Sequence, residues 1–248
     1  MDDKRRIIDA FGGSLYGKGV NVLKRVPGMN SADDTTGREV SATRATYLAL
    51  RQMILTGALP AGQKLKIEQL RKMLDTGASP VREALSLLTS DMLVERIDQR
   101  GFRAAPASLA NFQEILNLRC ALEDMALRQS ISQATQEWEE HLVLAHHRMK
   151  RVTDTETFED AHKDFHMALL SNAASPILER YCSQLYDLNI RYRYLAASDA
   201  SYQKRDISAE HEDILEAALQ RDADASSTAL LSHYRLTGGY LTTRLGSL

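Results

Sequence analysis

The chain has 248 residues, 44 % apolar and 26 % charged, with a formal net charge of −2. That length and apolar content fit two modest domains with real cores. No run of 18 apolar residues is present, which excludes a helical membrane span, and Asp2-Asp3 ahead of Lys4-Arg5-Arg6 does not make a secretory signal. Two cysteines, Cys120 and Cys182, stand without metal-type spacing and point to a reducing, cytoplasmic setting.

The charge is unevenly spread. Residues 38–106 carry 11 Lys/Arg against 7 Asp/Glu, whereas residues 107–248 carry 14 against 21. A basic segment beside an acidic one fits a nucleic-acid reader joined to a part that avoids phosphate. Between Phe102 and Thr237 there is no glycine, and all seven histidines fall in that same stretch. A β-rich domain of this length would need turn glycines, so the C-terminal part is expected to be a helical bundle.

In chain order, residues 1–38 hold Gly12-Gly13, Gly17, Gly19, Pro27-Gly28 and a polar run to Gly37, and they read as a mobile arm. Thr43 to Leu55 reads as a helix with Tyr47, Leu50 and Ile54 on one face, ended by Gly57, Pro60 and Gly62. Lys66 to Leu74 is a second helix with Ile67, Leu70 and Leu74 inward, followed by the turn Asp75-Thr76-Gly77-Ala78. A third helix is expected from Ser79-Pro80, serine at the N-cap and proline at the first helical position. Its stripe is Val81, Leu85, Leu88 and Met92, which turns Arg82, Ser86 and Thr89 outward. Leu93 to Ile97 and Gly101 to Ala104 read as two strands around Asp98-Gln99-Arg100. Two helices, a tight turn and a hairpin make a winged helix-turn-helix over residues 39–106.

After Pro106 six amphipathic helices are expected at about 108–131, 134–152, 155–172, 176–197, 207–220 and 222–244, an antiparallel all-α bundle filling 107–248. Their stripes include Phe112, Ile115, Leu122 and Ala126, then Trp138, Leu142, Ala145 and Met149, then Ile177, Tyr181, Leu185, Leu188 and Tyr192. The chain is therefore expected to be mainly α, with β structure confined to the wing.

Arg82 sits one turn into the third helix, where a reading helix meets base edges, and arginine can bond guanine bidentately. Arg71 and Lys72 on the preceding helix and Arg100 and Arg103 at the wing are placed for phosphates or the minor groove. Leu50-Arg51 with Ile54, then Gly57, Leu59, Pro60, Gly62, Leu65 and Leu70, closely resemble the DNA-binding domain of the GntR family. The resemblance continues through Ser79-Pro80-Val81-Arg82-Glu83-Ala84-Leu85, Leu88, Leu93-Val94 and Arg100-Gly101-Phe102. It implies a homodimer on a short palindromic operator, with Ser79 and Arg82 at the DNA and the Arg100-Gly101 wing tip in the minor groove. The chain departs from the family at Gly77 and Ala78, where a Ser/Thr and an arginine are usual, and at Glu68, where a basic residue is common.

His162 and His166 are four apart on one helix, His211 falls in the stripe with Ile207, Ile214 and Ala218, and His233 in the stripe with Leu230, Thr237 and Leu241. Four imidazoles on inward faces of three helices serve either as hydrogen-bonded core histidines or as ligands of a divalent ion, zinc or nickel. His141, His146 and His147 read as surface or flanking residues. Arg119 interrupts the stripe between Ile115 and Leu122, and a buried arginine needs an anion, either Glu123 or the carboxylate of an effector.

Arg119 with Leu122-Glu123, Phe165-His166 with Ala168-Leu169, Glu210-His211 with Ile214 and Ala217, and His233 resemble the FadR C-terminal (FCD) sensor domain. That resemblance implies a divalent metal bound through an aspartate and three histidines, with the arginine lining an effector cavity. The matching positions are His162, His166, His211 and His233, so His162 replaces the aspartate. Either His162 coordinates as a fourth imidazole, or three histidines bind and water or the effector completes the site. The sum is a regulator, expected to be a repressor, whose DNA affinity answers to a small organic acid. Two other readings are a metal-dependent enzyme with an accessory winged domain and an effector-less dimeric DNA-binding protein. By spacing Glu210 and Glu212 are expected to point away from the His211 face, and no nucleophile motif is present, so the chain is not read as an enzyme.

Overall fold

The computed structural model describes residues 34–153, 155–196 and 206–245. The arm expected at 1–38 lies outside the described residues, except for 34–38, which are helical. Helix α1 spans Asp34–Leu55, nine residues longer at its start than the apolar stripe suggests. Once a turn is nucleated, each further residue adds a hydrogen bond at little cost, so a polar stretch can extend a helix. Thr46, Leu50 and Ile54 are its buried face. Tyr47 is half-buried, and its hydroxyl donates to Asp91 at 2.8 Å. The chain leaves α1 through Gly57, whose φ of +80° suits a residue without a Cβ.

A short strand β1, Lys64–Leu65, precedes α2, Ile67–Met73, and α3, Ala78–Ser90. Val81, Ala84, Leu85 and Leu88 are the buried stripe of α3. Two expectations fail here. The N-cap is Gly77 and not Ser79, whose hydroxyl instead donates to Glu83 at 3.2 Å from inside the first turn. Met92 is 54 % exposed, because the helix has already ended and φ there is +60°.

The wing is β2, Val94–Ile97, and β3, Gly101–Ala104, paired antiparallel with Ile97 opposite Gly101. Gly101 takes φ +92° as the chain re-enters the ladder, a conformation that strains any side chain. β1 pairs with the other edge of β3, giving the order β1-β3-β2. Two residues carry no periodicity, so β1 left no pattern to read.

Six helices follow among the described residues: α4 Leu109–Ser132, α5 Gln136–Arg151, α6 Thr155–Leu170, α7 Pro176–Ala196, α8 Ile207–Leu219 and α9 Ala223–Leu245. Ser108, Thr135 and Asp206 cap α4, α5 and α8, each accepting from the backbone N–H three residues on. The inward face of α7 is the expected one at Leu185, Leu188 and Tyr192, but not at the helix start. Ile177 is 74 % exposed and Tyr181 is exposed, whereas Cys182, Leu185, Tyr186 and Asn189 are buried. The stripe lies one residue further along, and from Leu185 onward both sides of α7 are covered.

That burial joins the two halves. Leu50, Ile54, Leu85, Leu88 and Phe102 of the winged part form one apolar cluster with Phe112, Ile115, Tyr186, Leu188, Tyr192 and Leu241 of the bundle. A second cluster, around Trp138, Leu142, Phe165, Leu169, Ile214 and Leu230, fills the far end. Polar ties cross the junction too. Arg51 meets Asp187 at 2.5 Å, Gln184 donates to the Ser90 carbonyl at 3.2 Å, and Arg191 donates to the Ala105 carbonyl. Among the described residues no helix is long and apolar enough to cross a membrane.

Candidate functional site

The histidine cluster is built by α6, α8 and α9. His162, His166, His211 and His233 are all buried, and one ligand atom from each lies within 4.8 Å of the others. The Nε2 atoms of His162 and His211 are 3.0 Å apart, and those of His162 and His166 are 3.2 Å apart. Burial holds His162, His166 and His211 well below the ordinary histidine range, His211 at about 2, and neighbouring cationic groups push the same way. Neutral imidazoles with converging lone pairs are the donor set that a divalent cation requires.

The outer nitrogens fit the same purpose. His166 Nδ1 meets the Tyr234 hydroxyl at 2.9 Å, and that hydroxyl donates to Glu123. His233 Nδ1 meets Glu210 Oε2 at 2.8 Å. His162 Nδ1 meets the Tyr186 hydroxyl at 2.5 Å and Arg193 Nη1 at 3.0 Å. Outer partners of this kind fix ring orientation around a metal.

Several of these partners escape sequence reasoning. Tyr186 and Tyr234 look like core aromatics, and Arg193 like a charge near a helix end. Glu210 was expected to point away from the His211 face. Its carboxylate reaches a member of the cluster, His233 on the next helix. His146, expected near the surface, is buried against Phe165 with its rings 5.3 Å apart.

Arg119 is buried, and Glu123 on its own helix supplies an anion to it. Nε donates to Oε1 at 2.6 Å and Nη2 to Oε2 at 3.3 Å. The guanidinium lies between the rings of Tyr186 and Tyr234, 4.9 and 4.2 Å from their centroids. Burial alone would favour its neutral form, but the Glu123 carboxylate overrides this and holds it charged above the ordinary arginine range.

These shifts predict a pH dependence for chelator-treated protein. Below about pH 6.5 the unfolded chain binds protons on imidazoles that the folded chain keeps neutral. Stability is therefore full above that pH and lost on acidification, by about 1.4 kcal/mol per pH unit for each such histidine. Urea unfolding at pH 7.5 and 5.5 checks this; equal midpoints would contradict the buried neutral cluster.

The candidate DNA residues are all exposed: Arg71 and Lys72 on α2, Ser79 and Arg82 on α3, Arg100 and Gly101 at the wing turn. On α3 the hydroxyls of Ser86 and Thr89 turn back to the carbonyls of Arg82 and Leu85, which leaves Arg82 as the outward cation of that face. Arg71 is tied to Glu68 at 3.2 Å and Arg103 to Glu95 at 2.5 Å. Both pairs are open to solvent and easily exchanged for phosphate.

Comparison with known proteins agrees with this arrangement. Residues 42–103 match the family described as bacterial regulatory proteins, gntR family, and residues 114–236 match the FCD domain. The HTH-type transcriptional regulator BphR of Paraburkholderia xenovorans is 37 % identical over 202 residues, covering 78 % of this chain and 82 % of the relative. The HTH-type transcriptional repressor GlaR of Escherichia coli is 27 % identical, covering 75 % and 90 %. The solved structure of E. coli McbR/YncC superposes with a TM-score of 0.71 at 20 % identity, covering 82 % and 98 %, which shows the shared fold. These relatives are transcriptional regulators and not enzymes. With a winged reading head, a helical domain around a histidine cluster and a close relative over most of its length, the chain belongs to the GntR family of DNA-binding transcriptional regulators, in the branch that carries an FCD domain.

Proposed function

We propose that the chain is a metal-containing repressor whose grip on DNA is released by a small carboxylate. It binds a palindromic operator as a homodimer, with Arg82 reading base edges, Arg100-Gly101 at the minor groove, and Arg71, Lys72 and Ser79 on phosphates. His166, His211 and His233 hold a divalent ion, zinc or else nickel, with His162 facing it. When bound, such an ion supplies a Lewis-acidic cation with a position open to an oxygen anion. The observation that carries this reading is the convergence of four buried imidazoles, three of them held neutral by burial, with the outer nitrogens of His166 and His233 engaged elsewhere. The repressor sense is supported by the E. coli relative named a repressor. Arg119, expected to grip the effector, contributes charge from behind Glu123, while Arg193 stands closer to the cluster.

Coupling to the head runs through Asp187. It accepts from Lys163 at 2.7 Å, beside His162 in sequence, and from Arg51 of α1 at 2.5 Å, and its own neighbour Tyr186 touches His162. An anion at the cluster that moves α6 against α7 changes this three-way ion pair and tilts the reading heads.

The test uses duplex DNA selected by the protein from a random pool. Mobility shifts are run with zinc-loaded and chelator-treated protein across a panel of mono- and dicarboxylates. At least one acid should release the loaded protein and leave the chelated protein bound. Release that is indifferent to chelation, or no release by any acid, would overturn the metal-linked sensor and favour a plain dimeric DNA-binding protein.

A further inference from the structure

We infer that His162 is not a metal ligand but a hydrogen-bond donor, its Nε2–H aimed at the anion that completes the site; this rests on the metal reading above. The argument is one of proton placement. A guanidinium has donors only, so Nδ1 of His162, 3.0 Å from Arg193 Nη1, must accept. The Tyr186 hydroxyl, 2.5 Å from the same nitrogen, can donate to it as well. A neutral imidazole has one proton, which is thereby placed on Nε2. An Nε2 that carries a proton cannot coordinate.

The other rings have the opposite arrangement. Glu210 can only accept, so His233 Nδ1 carries a proton, and in the neutral ring that a metal ligand must be, its Nε2 is bare. The single proton of Tyr234 goes to Glu123, so its oxygen accepts from His166 Nδ1 and His166 Nε2 is bare. His211 Nε2 faces the His162 N–H at 3.0 Å and must accept from it, so it is bare too. The result is three lone pairs and one N–H around a single point. Once an ion takes the His211 lone pair, the buried His162 N–H loses its acceptor, and leaving it unpaired is costly. A carboxylate or other small oxygen anion on the ion restores it. With Arg193 fixing the tautomer and Glu159 holding Arg193 at 2.8 Å, His162 becomes the residue that selects an anion for the open position.

The test compares full-length wild type with His162→Ala, His162→Gln and His166→Ala after zinc loading and desalting. Elemental analysis should find one zinc per chain in wild type and both His162 variants, and under a tenth of that in His166→Ala. In cobalt-loaded protein, acetate titrated against the visible spectrum should bind about ten- to a hundredfold more weakly to His162→Ala. His162→Gln, whose amide can put an N–H where Nε2 stands, should recover part of that loss. In zinc-loaded wild type labelled with 15N-histidine, the His162 proton should sit on Nε2, a readout that needs no variant to fold. Zinc lost from His162→Ala as completely as from His166→Ala, or a proton on Nδ1, would make His162 a ligand and overturn the inference while sparing the metal site. Zinc absent from wild type, or retained by His166→Ala, would instead bring down the metal reading itself.

Discussion

Glu123→Ala should destabilise the protein by about 3–5 kcal/mol, the range for breaking a buried ion pair and leaving one charge behind. Glu123 is fully buried and answers both the Arg119 guanidinium and the Tyr234 hydroxyl. With it gone, a charged arginine lies between two aromatic rings with no counter-ion, and Tyr234 loses the acceptor that orients it toward His166. Since whole domains are stable by only about 5–15 kcal/mol, this one change consumes a large fraction of the total. Urea unfolding at pH 7.5 measures it. Replacing the pair together, Arg119→Met with Glu123→Leu, should recover most of the stability, because well-packed apolar side chains substitute for buried ion pairs at little cost. The double variant should still bind zinc less well than wild type, since Tyr234 no longer has a carboxylate to hold it. A Glu123→Ala loss below about 1 kcal/mol would mean that the pair is effectively solvated, against its burial.

Arg82→Ala should weaken binding to selected operator DNA by about 1–3 kcal/mol, roughly five- to 150-fold, the worth of a good bidentate base contact. Binding to unrelated duplex should fall far less. Arg82 is exposed one turn into α3, and its neighbours Ser86 and Thr89 donate their hydroxyls to the helix backbone, so this side chain is where a loss of specificity is expected. Lys72→Ala gives the contrast. A phosphate contact carries no sequence information, so its loss should weaken both DNAs alike and flatten the salt dependence. Competition mobility shifts at two salt concentrations separate the two cases. Equal loss on both DNAs for Arg82→Ala would remove it from base readout.

The fold was largely legible because its signals are local or periodic. The run from Pro80 to Leu85 and the glycine-free stretch after Phe102 give the head and the bundle, and six apolar stripes give helix bounds close to those observed. The four histidines were legible as well, because a helix turns i and i+4 to one side and each histidine fell in or beside a stripe. What failed were contacts whose partners sit on other helices. A helical wheel gives a direction and not a reach, so Glu210 was assigned away from the cluster although its carboxylate spans to His233. Arg193, Tyr186 and Tyr234 lie on stripes that any core would use, and their polar atoms acquire meaning only when α6, α7 and α9 come together. Arg119 offered two partners from sequence alone, and the structure shows its pairing with Glu123 on its own helix. At Ile177 the error was a single residue of phase, which turns a side chain by 100° and exchanges inside for outside, and at Ser79 the helix began two residues earlier than its capping residues suggested.

The apolar cluster that runs from Leu50 and Phe102 into Phe112, Tyr186 and Tyr192 also bears on how parts of this regulator can be exchanged. A boundary drawn at Pro106 follows the chain but cuts through a shared core. The reading head is thus not a bead on a string but shares its core with the bundle that carries the histidines. A fragment stopped at Pro106 would bare the surface that α7 covers and would be prone to clump rather than to read DNA. Grafting this sensor onto another family head would succeed only if the face around Leu185, Leu188 and Tyr192 travels as a matched pair with its partner. Substitutions on that face would loosen the head and the bundle together.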